Sequence, residues 1–217
     1  MDLYIAHNTH NRPNTARETI NKDLVLKPKH TLMVVTSDGG SSNSFKSDSV
    51  DELIINGIGH QVNCVNAFYK SVSTLANMAH DGVIIFSHDD VQMVNSEIVL
   101  SNINELIEKD LSYIVRNPIN WGEEDYFMME IVYLRIKYIK EIFKPIDGLL
   151  IDTISDIRVD KFGWNSAEAW LAEQLKKINH NHKIIKYVLG SDADAVKHLE
   201  STMGYTHLNY GIREWKE

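Results

Sequence analysis

Two stretches of the chain are apolar at consecutive rather than alternating positions: Thr31-Leu32-Met33-Val34-Val35-Thr36 and Val83-Ile84-Ile85-Phe86. Short continuous runs rich in β-branched residues and bounded by turn-formers predict strands buried on both faces. Leu3 to Ala6 predicts another short buried strand, followed by a polar loop from His7 to Asn14. Asp51 to Ile55, Met128 to Ile136 and Lys183 to Leu189 predict further strands. Helical spacing appears between them. From Asn66 to Ala79 the apolar positions are Phe68, Val72, Leu75, Ala76 and Ala79, and from Glu97 to Lys109 they are Ile98, Ile103, Leu106 and Ile107. Shorter helices are expected over Thr15 to Asn21 and Tyr138 to Phe143, and one over Ala167 to Ile178 with Ser166 as its N-cap. The tail from Gly190 to Glu217 is polar and is expected to be irregular. Strands alternating with helices imply an α/β fold with a mostly parallel sheet flanked by helices.

Composition narrows the function. The 217 residues suit one domain, with about residues 1–110 forming one half and residues 111–217 a second half and tail. With 30 acidic side chains against 22 basic ones, the chain lacks the basic face that sequence-independent nucleic-acid binding requires. Cys64 is the only cysteine, which excludes an intrachain disulfide and suits a reducing compartment. The N-terminus shows no basic stretch leading into an apolar core, and no apolar run approaches membrane-spanning length. A cytoplasmic protein is the expectation.

The chemistry is expected at the strand ends. Two buried strands lead into acidic clusters, Asp38-Gly39-Gly40 and Asp89-Asp90. Ligands of open α/β sheets bind outside the carboxyl ends of the strands, so both clusters should face one crevice. His7 and His10 lie three apart without carboxylate or thiolate neighbours in the sequence, and so read as solvated loop residues rather than a metal pair.

Four segments, in order, resemble the GT-A glycosyltransferases, specifically the large glycosyltransferase-2-like family of nucleotide-sugar enzymes. Asn11-Arg12-Pro13 resembles the N-R-P segment that follows the family's first strand. Val34-Val35-Thr36-Ser37-Asp38-Gly39-Gly40-Ser41 resembles its V-V-D-D-G-S loop, and Val83 through Asp90-Val91 resembles the strand that ends in its D-x-D motif. Ala167-Glu168-Ala169-Trp170-Leu171 through Leu175 resembles its E-D-W-x-L-x-x-x-L helix. The resemblance spans about residues 1–190. Two departures stand out: His88 replaces the first Asp of D-x-D, and Ala167-Glu168 replaces Glu-Asp.

The resemblance implies transfer of a sugar from a nucleotide-diphosphate donor to a hydroxyl acceptor, with Mn²⁺ or Mg²⁺ as cofactor. It implies Asp90 as the direct metal ligand, with His88 and a late histidine, His198 or its competitor His207, beside it. The expected nucleotide-sugar contacts are Asn8, Arg12, Asp38, Gly39, Lys70 and Asp89, the last touching sugar or ribose. Glu168 is the implied catalytic base, and residues 116–127 and 144–165 the implied acceptor loops. Elementary charge supports a cation, since a diphosphate meeting Asp89-Asp90 is anion against anion unless a hard divalent ion takes oxygen from both sides. Trp164 and Trp170 are an acceptor platform or core aromatics. The competing enzyme reading, a sugar-phosphate nucleotidyltransferase, needs a Gly-rich basic loop after the first strand, and residues 7–14 contain no Gly. An inactive nucleotide-sugar or carbohydrate-binding module is the non-enzyme alternative.

Overall fold

The computed structural model describes residues 1–10, 12–37, 50–56, 59–119, 126–151 and 166–208. Its centre is a mixed, mostly parallel seven-stranded sheet, the α/β arrangement expected. The strands are β1 (Leu3–His10), β2 (His30–Ser37), β3 (Asp51–Asn56), β4 (Val83–His88), β6 (Tyr113–Pro118), β7 (Ile131–Arg135) and β8 (Lys183–Tyr187), ordered β3-β2-β1-β4-β7-β6-β8. β7 runs antiparallel to both its neighbours, and the other pairings are parallel. A separate antiparallel ribbon joins β5 (Val91–Met93) to β9 (Tyr205–His207).

The helices are α1 (Pro13–Asp23), α2 (His60–Asn77), α3 (Ser96–Glu108), α4 (Ile136–Ile139), α5 (Ser166–Leu175) and α6 (Asp192–Met203). One face of the sheet, with Ala6, Val34, Ile84 and Phe86, packs on Phe68, Val72 and Leu75 of α2 and Trp170 and Leu171 of α5. The other, with Val83, Ile85, Ile114 and Tyr133, packs on α3, α6 and β9 through Val99, Leu106, Leu199, Met203 and Tyr205. β1 lies between β2 and β4, so the chain winds outward through β2 and β3 and α2 carries it back to β4 on the far side of β1. That reversal makes the carboxyl ends of β1 and β4 a topological switch point.

Several expectations change, among them the helix expected over Tyr138 to Phe143, which is the four-residue α4, and Ser166, which lies inside α5 rather than capping it. β1 does not stop at Ala6 but runs to His10, because His7 and Thr9 point into a polar interior rather than water. His7 is fully buried, its Nε2 3.0 Å from Asp23 Oδ2 and its Nδ1 2.6 Å from Ser87 Oγ, so it is not a solvated loop residue. α2 begins at His60, six residues before the expected start. Asn66 therefore sits within the helix, its side chain bonded to the Leu150 and Ile151 backbone. The tail is ordered as α6 and β9: Ser191 and Asp194 form a capping box, and Gly204 closes the helix with φ 78°.

Candidate active site

The switch point is acidic because β4 ends where it must turn. Asp89 and Asp90 form the turn between β4 and β5, and Asp89 folds back under β1. Its N–H donates to the Asn8 carbonyl at 2.9 Å, and its own carbonyl accepts from Thr19 Oγ1 on α1. Its carboxylate accepts from Thr9 Oγ1 at 2.5 Å and meets Arg12 Nη2 at 2.5 Å. Asp89 is fully buried, with Thr9 on one carboxylate oxygen and the Arg12 ion pair at the other. Burial raises its pKa to about 7 against the opposing pull of Arg12, and the neighbouring Asp90 charge adds to the rise.

Asp90 behaves differently. Burial opposes its ionisation too, but His207 and Arg12 outweigh that and hold its carboxyl below the usual carboxylate range. Arg12 Nη1 donates to Asp90 Oδ2 at 3.0 Å, so one guanidinium spans both carboxylates. His207 Nε2 stands 3.9 Å from the same oxygen. The β5–β9 ribbon puts it there, pairing His207 with Val91 while Leu208 N–H donates to the Asp90 carbonyl at 2.8 Å. His88 sits beside the group, its ring edge-on to Phe86, and burial drives its pKa down to about 3, which keeps the imidazole neutral.

The opposite rim is built by two helix starts. Gln61 Oε1, in the first turn of α2, accepts from Ala167 N–H in the first turn of α5 at 3.0 Å. This clasp brings Glu168 to the amino end of α2. Burial, and after it the charges of Glu168, Asp90 and Asp89, push the thiol of Cys64, one turn along that helix, well above its ordinary pKa. Its Sγ lies 3.6 Å from His60 Nε2. Glu168 and the two carboxylates after β4 thus act electrostatically on the same thiol near the start of α2.

Of the residues expected from sequence, Arg12, Asp89 and Asp90 meet, His88 precedes them at the end of β4, and Glu168 lies in the first turn of α5. Asn8 lies beneath them in β1, opposite His88 in register and accepting from Thr36 Oγ1 at 3.4 Å. Asp38 and Gly39 lie outside the described residues, as do residues 120–125 and 152–165 of the implied acceptor loops, Trp164 among them. β2, which leads to Asp38, ends at the same edge as β4 with β1 between them, about 10 Å apart at two interstrand spacings.

Two expected residues stand apart from this group. Lys70 is about 15 Å along α2 from its start at 1.5 Å per residue, and its Nζ donates to the Ile146 carbonyl at 2.6 Å. His198 faces Arg116, whose Nη2 lies 3.2 Å from its Nδ1, and stacks on Tyr187, so His207 is the late histidine beside Asp90. Trp170 packs in the core against Phe68. Thr9, His60, Gln61 and Cys64 carried no sequence signal, because each lies where an element begins or ends differently from the apolar pattern.

The whole chain has a known counterpart in shape. It superposes on a glycosyltransferase involved in the glycosylation of the major capsid of PBCV-1, with a TM-score of 0.52 over 96 % of this chain and 94 % of that one, at 9 % identity. The fold is GT-A-like. A mannosyltransferase from Pyrobaculum calidifontis, solved with GDP-Man and Mn²⁺, matches more loosely, with a TM-score of 0.47 and 9 % identity over 99 % of this chain. The chain spans 65 % of that protein's length. No protein-family profile matches the chain, and no curated protein matches it in sequence. In the GT-A-like fold the acidic turn after β4 occupies the switch point, and among the described residues no helix is long and apolar enough to cross a membrane.

Proposed function

We propose that this protein is a metal-dependent glycosyltransferase, moving a sugar from a nucleotide-diphosphate donor to a hydroxyl acceptor with inversion at the anomeric carbon. The observation that carries the reading is the meeting of Asp90 and His207 at the switch point, under the arginine that follows β1. An ionised carboxylate and an imidazole suit a hard or borderline divalent cation such as Mn²⁺ or Mg²⁺. Among the described residues no three His, Cys, Asp or Glu side chains gather as a metal site, so phosphate oxygen and water would have to complete the coordination of a cation here. When bound, the cation supplies Lewis-acid stabilisation of charge on the departing diphosphate.

The chain's own residues supply the rest. Arg12 offers N–H donors to the diphosphate in a fork that suits phosphate oxygens. Asp89 fixes that fork from below. Asp38 and Gly39, at the end of β2, take the nucleoside side, with Gly39 letting backbone approach the ligand closely. Glu168 accepts the proton of the acceptor hydroxyl as it attacks the anomeric carbon, and a single displacement inverts that centre.

The test is thermal melting against a panel of nucleotide-sugars with and without MnCl₂, together with donor hydrolysis. At least one donor is expected to raise the melting temperature only when Mn²⁺ is present, and to be slowly hydrolysed. Asp90→Ala should abolish both effects. An unchanged Mn²⁺-dependent shift in that variant would remove the site, and a donor that binds without ever being turned over would leave a binding module.

A further inference from the structure

Arg12 stands on the oxygen that a cation at this site needs. Its Nη1 is 3.0 Å from Asp90 Oδ2, the atom that His207 also approaches at 3.9 Å. Asp90 and Arg12 enclose one another closely, the Asp90 side chain being 4 % exposed and that of Arg12 13 %. A divalent ion and a guanidinium cannot share one carboxylate oxygen without strong like-charge repulsion. The second arm is held differently, since Nη2 is on Asp89, whose turn is tied by Asn8, Thr9 and Thr19. One arm is anchored and the other is exchangeable.

We propose that Arg12 is an exchangeable counter-cation: it occupies Asp90 until cation and diphosphate arrive together, then pivots on Asp89 to carry Nη1 from the Asp90 carboxylate to a phosphate oxygen. This rests on the function proposed above and adds how the site couples its two ligands. Every charge keeps a counter-charge in the exchange, the cation replacing the guanidinium on Asp90 while the phosphate replaces Asp90 on the guanidinium. Mn²⁺ alone must displace Arg12 and binds weakly. Mn²⁺ with a diphosphate gives Arg12 somewhere to go. Binding is therefore cooperative, and reciprocally so.

The test measures two affinities in the full chain. Mn²⁺ is titrated alone, with free ion read by electron paramagnetic resonance. UDP, GDP and ADP are then titrated in turn into Mn²⁺-saturated protein. Arg12→Gln should bind Mn²⁺ alone about tenfold more tightly than the unaltered chain, the worth of one charge-assisted hydrogen bond removed from Asp90. The nucleotide that binds best should bind the same variant about tenfold more weakly. Opposite signs are the signature, because a variant that merely loosened the site would weaken both. Arg12→Lys keeps a charge and gives a foldable second case, with a smaller gain of the same sign for Mn²⁺. Unchanged or weakened Mn²⁺ binding in both variants, with Asp90→Asn still abolishing it, would overturn the exchange alone. Absence of any Asp90-dependent Mn²⁺ binding, with or without nucleotide, would remove the functional reading and the exchange with it.

Discussion

Asp89 and Asp90 are chemically identical neighbours that the fold treats in opposite ways. Asp90 lies between Arg12 and His207, and its depressed pKa means that its stabilisation is present above the unfolded value near 3.9 and is lost as pH falls through the lower folded value. Asp89 has the reverse sign. Burial lifts it to about 7, so between roughly pH 4 and 7 the native state holds a proton that the unfolded chain has released. Its contribution to stability therefore falls as pH rises through that window. Asp89→Asn removes the titration while keeping an oxygen for Thr9 and the His10 N–H. Urea unfolding at pH 5 and pH 8 should find the variant less stable at the lower pH, with the deficit shrinking at the higher by at least the ~1.4 kcal/mol of one pKa unit. A deficit that widened with pH would show that Arg12, not burial, governs this carboxylate.

At the scale of elements, the site depends on a ribbon whose register is set by one glycine. Gly204 closes α6 in the left-handed region, and a Cβ there would lie 2.5 Å from the Asn95 carbonyl oxygen and 2.9 Å from a Val99 methyl. Both the conformation and the backbone contact resist a side chain. Gly204→Ala should cost about 2 kcal/mol, from left-handed strain and the forced shift of β5 against β9. Because His207 is three residues on, the variant should also bind Mn²⁺ several-fold more weakly, measured by titration well below its melting temperature. Stability lost without cation affinity would separate the ribbon from the site.

The same elements show what the sequence could reveal. The cores of β2 and β4 were legible because both faces are buried and every residue is apolar. β1 past Ala6 was not, since Thr9 and His7 are polar yet interior, bonded to Asp89 and Asp23. The first turn of α2 was hidden likewise, its His60, Gln61 and Asn63 turning the helix start toward the site instead of the core. In α6 the buried positions are only Ala195, Leu199 and Met203, too sparse a stripe to stand out, although Ser191, Asp194 and Gly204 are ordinary start and stop signals. Asp90, Arg12 and Glu168 stood out in the sequence because their segments keep the order of the resemblance. His207 could be placed only by a strand pairing across more than a hundred residues, which no local pattern encodes.

At the scale of the whole molecule, the last described elements close the second core. α6 and β9 complete the second core, with Leu199, Met203 and Tyr205 each fully buried beside Val99 and Leu106. Tyr133 donates to the Met203 carbonyl at 2.7 Å and Asn102 to the Thr202 carbonyl at 2.9 Å. Arg116, fully buried against Glu130, donates to the Ala195 carbonyl at 3.1 Å. Ending the chain at Gly190 would expose the inner face of α3, release these donors and remove His207. Three buried side chains at about 2 kcal/mol each already approach the ~5–15 kcal/mol that holds a typical domain folded. The shortened chain is expected to keep helical circular dichroism, to lose a cooperative melt, and to show no Mn²⁺-dependent stabilisation by any nucleotide. If it instead melted sharply and still responded to Mn²⁺, the cation would be held without β9, and Asp90 would need a different partner from the one the fold brings to it.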